Sequence, residues 1–211
     1  MTPSTAQPDT FVRAVDRLLS VRPRPEIALS EAPAPQRLAP YAYALGAAVH
    51  RDARRLQPAG GGDRRLDRCD PTDGAEVAAG RLILLYDPAG HEAWQGRMRL
   101  VTYVTAELEP DLAADPLLPE VGWSWLVDAL DSHGAEHTAI GGTVTQTSST
   151  RFGELAGPPT AADIEIRASW TPIGDGLDAH LLAWCTLLAS TGGLPPPGIT
   201  ALPGRSGSGA A

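Results

Sequence analysis

A row of hydroxyl side chains lies in the segment GGTVTQTSSTRFGEL, beginning at Thr143, and an arginine follows it. Every second residue of an extended strand lies on the same face, so these side chains would share one face. Hydroxyls beside guanidinium groups can hold an anionic or sugar-like ligand through several hydrogen bonds. An ordinary solvent-facing strand has the same pattern and stays open as the alternative. The predicted ligand-binding residues are Thr145, Thr147, Ser149, Arg151 and, from the neighbouring strand, Arg167.

The segment DALDSHGAEH gathers side chains of the kinds that bind metal ions: Asp128, Asp131, His133, Glu136 and His137. Two histidines four residues apart present both rings on one side of a continuous helix. Here Gly134 lies between them and is expected to end the helix, which separates the two rings. We therefore predict no metal site in this segment.

The nucleophiles of common enzymes lack their usual surroundings in this sequence. All 17 basic residues are arginines, which excludes Schiff-base, P-loop and kinase-type lysines. No GxSxG motif is present, and Cys185 lies in an apolar segment that predicts a core position. Cys69 lies in a polar segment, and His91 and His180 are interpreted as structural. We predict no catalytic residue and no cofactor.

The net charge of −8 disfavours nucleic acid as a partner. Residues 51–76 are rich in Gly and Arg without apolar periodicity, and they predict a mobile internal loop. Aspartates interleave with the six arginines of this segment, so a solvated loop is favoured over a phosphate-binding patch. Arg97 and Arg99 share one face of a later strand with Glu107, and we predict ion pairs across the strands there.

The hydrophobic pattern predicts one α+β domain over residues 9–204, between a flexible N-terminus at 1–8 and a flexible tail at 205–211. The expected order is a helix, three strands, a helix, two strands and a helix. Strands that are apolar on one side need only one covered face. We therefore predict a two-layer sandwich in which the helices cover one face of an antiparallel sheet of about five strands. A short extended piece around residues 27–29 is expected to pack at its edge.

Several local signals support this order. DPAG between two apolar runs predicts the turn of a β-hairpin, and ADIEIRASWTPI alternates cleanly, with Ile164, Ile166 and Trp170 inward.

The segment LDAHLLAWCTLLAS is apolar nearly all round, so we expect a second element, such as another subunit, to cover it. Trp123 and Trp125 are two residues apart on a helix, about 200° from each other, and one of them is expected to face outward as an interface candidate.

Five segments resemble an actinobacterial family catalogued as domain of unknown function 3000: RPEIALSEAPAPQRLAPYAYAL, GRLILLYDPAGHEAWQGRMRLVTYVTAELE, GWSWLVDAL, GGTVTQTSSTRFGEL and HLLAWCTLLASTGGLPPPG. The resemblance covers most of residues 9–204, and it implies no activity, substrate or catalytic residue. The order of elements is also similar to that of secretion-chaperone-like domains. That similarity implies a binding module that often forms a homodimer.

Two classes of function follow from these observations. The first is a non-catalytic binding or accessory protein that contacts a partner protein and forms a homodimer. The second is an enzyme or small-ligand binder that uses the hydroxyl strand. The chain has no run of roughly 18 uncharged apolar residues, and its first residues lack a basic flank and an apolar stretch, so a cytoplasmic location without membrane contact is expected.

Overall fold

A computed structural model describes residues 7–51, 76–155 and 161–196 of the chain. The helices are α1 (Asp9–Leu19), α2 (Pro110–Ala113), α3 (Leu118–Ser132) and α4 (Leu177–Thr191). The strands are β1 (Ile27–Ala32), β2 (Tyr41–His50), β3 (Glu76–His91), β4 (Gly96–Leu108), β5 (His137–Ser149) and β6 (Ala161–Pro172). Residues 52–75 of the predicted mobile loop, the tail and most of the predicted flexible N-terminus, together with Cys69, lie outside the described residues, whereas Glu76 already belongs to β3.

The strands form a sheet of six strands in the order β1-β2-β3-β4-β6-β5, and every neighbouring pair is antiparallel. The α+β class and the antiparallel sheet are confirmed. The expected number of about five strands is roughly right, and the sixth strand is β1, because residues 27–32 form a regular edge strand rather than a short extended piece. β1 pairs with β2 from Ile27 opposite Val49 to Ala32 opposite Ala44, and these backbone hydrogen bonds make it a strand.

The core lies between one face of the sheet and the helices. The inward side chains of β6 alternate as predicted and those of β4 follow the same pattern, so that Leu100, Val104, Ile164, Ile166 and Trp170 are fully buried. The same alternation places Leu45 and Val49 of β2 and Leu82 and Leu84 of β3 in this core. Because each strand contributes every second residue, the other half of its side chains lies on a face that no described helix covers.

The hairpin of β3 and β4 is confirmed, but the position of its turn is corrected. Residues 87–90 form an irregular bulge within β3, and the chain turns through a short 3₁₀ helix at Glu92–Trp94 before Gln95. The carboxylate of Asp87 accepts a hydrogen bond from the backbone N–H of Ala89 at 2.9 Å, which stabilises the bulge. Gln95 has a φ of 56°, and this left-handed residue lets the chain reverse just before β4.

Helix α4 lies at the centre of the helical layer. It packs against α1 and α3 on its sides and against β3, β4 and β6 below, so its nearly uniform apolar surface is covered within the chain. No second subunit is needed to bury it. A side chain at Gly80 of β3 would place its Cβ 2.7 Å from Leu188, and glycine therefore permits the close approach of α4 to the sheet.

Candidate functional site

The face of the sheet opposite the helices carries a row of polar side chains that crosses four strands. Arg81 of β3 lies directly opposite Tyr103 of β4, Tyr103 lies opposite Arg167 of β6, and Arg167 lies opposite Thr143 of β5. Residues directly opposite each other on neighbouring strands point to the same face. We call this surface the helix-free face. The register of the sheet thus brings two arginines, a tyrosine and a threonine into one line.

Tyr103, Glu165 and Arg167 form a connected group at the centre of this line. The hydroxyl of Tyr103 donates a hydrogen bond to Glu165 Oε2 at 2.9 Å, and Arg167 Nε lies 2.6 Å from Glu165 Oε1. The Arg167 guanidinium also stands over the Tyr103 ring, with Cζ 5.5 Å from its centre. The hydrogen bond to Glu165 raises the pKa of Tyr103, because the neutral phenol is the donor.

Arg99 lies two residues before Val101 on the same face and is held by neutral acceptors. Its guanidinium donates to the backbone oxygen of Ala139 at 2.8 Å, to Thr171 Oγ1 at 3.1 Å and to Ser169 Oγ at 2.8 Å. The sequence analysis predicted an ion pair across the strands for Arg99. This prediction is wrong, since all three acceptors are uncharged. Partial burial lowers the pKa of Arg99 because the charged form is desolvated. The positive charge of Arg99 has no counter-charge among these contacts.

Arg81 reaches across the face toward the loop after β1. Its Nη2 donates to the backbone oxygen of Pro33. Its Nε is buried and has no hydrogen-bond acceptor among the residues that the structure describes. A buried donor without an acceptor is costly, by about 1–3 kcal/mol, and it is rare in folded proteins.

A groove of about 470 Å³ opens between these side chains. Ile83 and Val101 provide its apolar floor, and polar side chains stand around it. The polar residues and glycines that line it are Arg81, Thr102, Tyr103, Arg167, Ser169, Thr143, Gly141 and Gly142. Its volume falls in the usual range of small-molecule sites, roughly 300–1,000 Å³. The groove therefore combines an apolar base with hydrogen-bond donors, as binding sites for small ligands do.

The structure brings only one of the predicted ligand-binding residues into this groove, namely Arg167. Thr145 and Thr147 share its face but lie opposite the acidic residues Glu165 and Asp163 of β6, and Ser149 ends the strand. Arg151 follows the strand and is exposed. The sequence analysis missed Arg81, Tyr103 and Ser169 as groove residues, although the alternation of their strands could have indicated the shared face.

The outer edge of β5 is a second notable surface. β5 is the last strand of the sheet, and within the described residues no strand pairs with its outer side. Residues 143–149 read TVTQTSS, with no charged residue and no proline. A bulge between Thr138 and Gly141 interrupts only the beginning of the strand. Natural proteins usually protect edge strands with charges, prolines or bulges, and this stretch has none of them.

The two tryptophans of α3 do not divide into one inward and one outward side chain. Trp123 and Trp125 are both half-buried, and both pack against the core. The Trp123 ring lies so close to β5 that a Cβ at Gly142 would be 2.9 Å from its Cζ3. The expected outward tryptophan is therefore not found, because neighbouring elements cover part of each ring.

The two histidines of the segment DALDSHGAEH, where no metal site is predicted, contact different partners. His133 Nε2 lies 2.8 Å from Thr186 Oγ1 on α4, whereas His137 Nδ1 bonds to the backbone oxygen of Ala135 at 2.9 Å. In the described part of the chain, no three His, Cys, Asp or Glu side chains are grouped as metal ligands.

A second cavity, of about 250 Å³, lies against α4 beneath the segment that follows it. Its lining includes Leu182, Cys185 and Leu194. The Cys185 side chain is buried, and this burial raises the pKa of its thiol to about 12. Such a thiol is protonated near neutral pH and is a poor nucleophile. Arg24, at the rim of the cavity, bonds to Glu26 and to the backbone oxygen of Pro195, so its donors are used within the chain.

Comparison with known proteins gives one match. The model of a family described as "Protein of unknown function (DUF3000)" matches residues 7–200, which confirms the resemblance found in the sequence. No curated protein and no solved structure matches the chain. Among the described residues, none of the helices has the length and apolar character required to cross a membrane.

Proposed function

We propose that this chain, which belongs to the DUF3000 family, is a non-catalytic binding protein that pairs with a second protein chain along the outer edge of β5. The observation that carries the proposal is the unprotected stretch of residues 143–149. In the described part of the chain no strand pairs with the outer side of this stretch, so its backbone N–H and C=O groups offer a template to which another extended strand can add. Main-chain hydrogen bonds then supply most of the affinity, and the side chains supply the selectivity.

The partner that best fits this edge is a second copy of the same strand. Two β5 strands can pair antiparallel about a two-fold axis, so every contact is made twice. Thr143, Thr145 and Thr147 would then face hydroxyl-bearing neighbours, and threonine pairs across antiparallel strands are favourable. A charged edge would repel its own copy, whereas residues 143–149 carry no charge. The resulting dimer would have one continuous sheet.

The opposite edge of the sheet is less suited to this role. β1 has only 6 residues, contains Glu31 and is followed directly by Pro33. A charge and a nearby proline are the usual means by which proteins prevent pairing at an edge. The contrast between the two edges supports β5 as the interaction surface and provides a matched control.

The chemistry of the buried groups supports a non-catalytic role. Cys185 is kept as a thiol by its raised pKa of about 12, and the pKa of His180 is lowered to about 4 by burial, so both are neutral near pH 7. His180 is 1% exposed and accepts a hydrogen bond from Trp170, which leaves it no access to a substrate. These two groups act in the core rather than on a substrate.

The test is the mass of the protein in solution by sedimentation equilibrium. We expect the wild-type chain, of 22.1 kDa, to approach twice that mass as its concentration rises. The double variant Thr145→Lys, Thr147→Lys introduces like charges along the edge and should stay monomeric. Ser30→Lys makes the same kind of change on the exposed face of β1 and should leave dimerisation intact. A wild-type protein that remains monomeric at every concentration would exclude the proposal, as would equal loss of dimer in the β1 variant.

A further inference from the structure

We propose that the groove on the helix-free face binds a small organic anion. Its carboxylate or phosphate is held between Arg81 and Arg167, and its apolar part rests on Ile83 and Val101. The groove is lined by the helix-free face of β5 from Gly141 to Thr143, whereas strand pairing would use the backbone groups on the outer edge of β5, so the two proposals use different atoms and are tested separately.

The register of the sheet sets the spacing of the two arginines. Arg81 and Arg167 lie on either side of Tyr103, one strand away from it in each direction. Neighbouring strands are about 4.8 Å apart, so the two arginine Cα atoms are separated by roughly 10 Å. In the structure the Arg81 guanidinium lies toward Pro33, so Arg81 must leave this contact to reach an anion held by Arg167. Tyr103 lies between the two arginines, and Ile83 and Val101 lie two residues along the same strands.

Both arginines keep donors for a ligand. Arg167 uses Nε in its contact with Glu165, and in the described chain its two Nη atoms make no hydrogen bond. Arg81 uses Nη2 in its contact with Pro33, and in the described chain its Nη1 makes no hydrogen bond. Guanidinium groups recognise carboxylates and phosphates through paired N–H donors. An anion in the groove would accept hydrogen bonds from the Nη groups of the two arginines.

Ser169 adds a donor with a fixed orientation. Its Oγ accepts a hydrogen bond from Arg99 at 2.8 Å, so the hydroxyl proton of Ser169 is available to a different acceptor. Ser169 lines the groove, whereas Arg99, which donates the hydrogen bond to Ser169, is not among the lining residues. This arrangement favours a ligand group that accepts hydrogen bonds.

The charges around the groove also favour an anion. Three arginines lie on adjacent strands in this region, namely Arg81, Arg99 and Arg167. Glu165 contacts Arg167 and contributes a negative charge. The chain as a whole has a net charge of −8, so the positive region is local. A local excess of one charge sign in a groove with apolar walls raises the local concentration of the opposite ion.

The binding experiment uses three probes of similar shape, namely benzoate, phenyl phosphate and the neutral benzyl alcohol, titrated against ¹⁵N-labelled protein. We expect the amide signals of Tyr103, Gly141 and Ser169 to shift with at least one of the two anions at or below about 10 mM. The anion that binds more tightly identifies the charged group as carboxylate or phosphate. Benzyl alcohol should bind at least tenfold more weakly, since it cannot pair with the guanidinium groups.

Variants locate the site. Arg167→Gln and Arg81→Gln should each raise the Kd of the bound anion by about tenfold or more, the usual effect of losing a charged hydrogen bond. Arg97→Gln removes the same charge from an exposed position outside the groove and should change Kd by less than about twofold. Arg167 is 65% exposed, so its variant is expected to fold, and a thermal melt checks this.

Three results would overturn the assignment. The first is the absence of shifts at the groove amides with either anion. The second is equal affinity for benzyl alcohol and the anions, which would show that charge plays no part. The third is an equal effect of Arg97→Gln and Arg167→Gln, which would show a general electrostatic effect rather than a site. None of these results depends on whether the chain dimerises, so the site and the proposed function are tested apart.

Discussion

The indole N–H of Trp170 donates a hydrogen bond to Nδ1 of His180 at 3.1 Å, inside the core between β6 and α4. The bond requires a neutral imidazole with an unprotonated Nδ1. Burial lowers the pKa of His180 to about 4, and the nearby His137 adds to this effect, against weaker opposing influences of the backbone at Glu136 and of Asp178. The fold therefore holds this histidine uncharged.

The stability of the protein should fall in mild acid because of His180. The folded-state pKa of about 4 lies below the ordinary value of 6.5, so the unfolded chain binds the proton first. The stabilisation that comes from neutral His180 is complete above pH 6.5 and is lost as the pH falls toward 4. At pH 5 the free energy of unfolding should be lower by roughly 2 kcal/mol. Urea unfolding between pH 7 and pH 4 measures it. His180→Gln keeps an acceptor for Trp170 but does not titrate, and its free energy of unfolding should fall less over this range. Parallel curves for the two proteins would contradict the prediction.

Removal of the hydroxyl of Thr102 should destabilise the core through Trp184. Trp184 Nε1 donates to Thr102 Oγ1 at 2.7 Å, and Thr102 is 2% exposed. Thr102→Val keeps the shape but leaves the indole N–H without an acceptor, which should lower the free energy of unfolding by about 1–3 kcal/mol. In a Trp184→Phe background, Thr102→Val should lower the free energy of unfolding by less, because phenylalanine has no N–H that needs an acceptor. Chemical denaturation of the four proteins gives the coupling, and a coupling near zero would exclude the proposed role of the bond.

The two neighbouring glycines of β5 should respond differently to alanine. A Cβ at Gly142 would collide with the backbone oxygen of Arg167 and the Trp123 ring, whereas a Cβ at Gly141 has no atom within 4 Å. Gly142→Ala should therefore lower stability by roughly 2–3 kcal/mol through overpacking. Gly141→Ala should change it by less than about 1 kcal/mol. Thermal unfolding of both variants tests this difference, and equal melting temperatures would show that β5 does not approach β6 and α3 as described.

Hydrogen exchange should report on pairing at the β5 edge. In the monomer the outward N–H groups of residues 143–149 are solvated, and they should exchange quickly. Strand pairing in a dimer would protect them, so their exchange should slow as the protein concentration rises. The amides of β1 should show no such dependence. Exchange of residues 143–149 that is independent of concentration, in a protein that sediments as a dimer, would place the interface elsewhere.

The sequence predicted most of the sheet because alternation is a local signal. The inward positions Ile164, Ile166 and Trp170 follow from polar and apolar residues that are two apart, and the structure confirms them. The helix ends near Gly134 and Gly192 follow equally from local capping residues. The hairpin turn was misplaced because an Asp-Pro pair fits a bulge as well as a turn, and only the pairing of His91 with Gly96 decides between them. The length of β1 was underestimated because an edge strand surrounded by prolines has a weak hydrophobic pattern.

The candidate site could not be assembled in the same way. Arg81, Tyr103 and Arg167 are separated by 22 and 64 residues in the chain, and their meeting depends on the register of three strands. A shift of register by one residue would send one of them to the opposite face. Composition and local spacing are enough to predict the class of fold and the buried face, and they exclude lysine chemistry. The tertiary structure alone decided which arginines converge and which edge stays open, because both depend on contacts between distant segments.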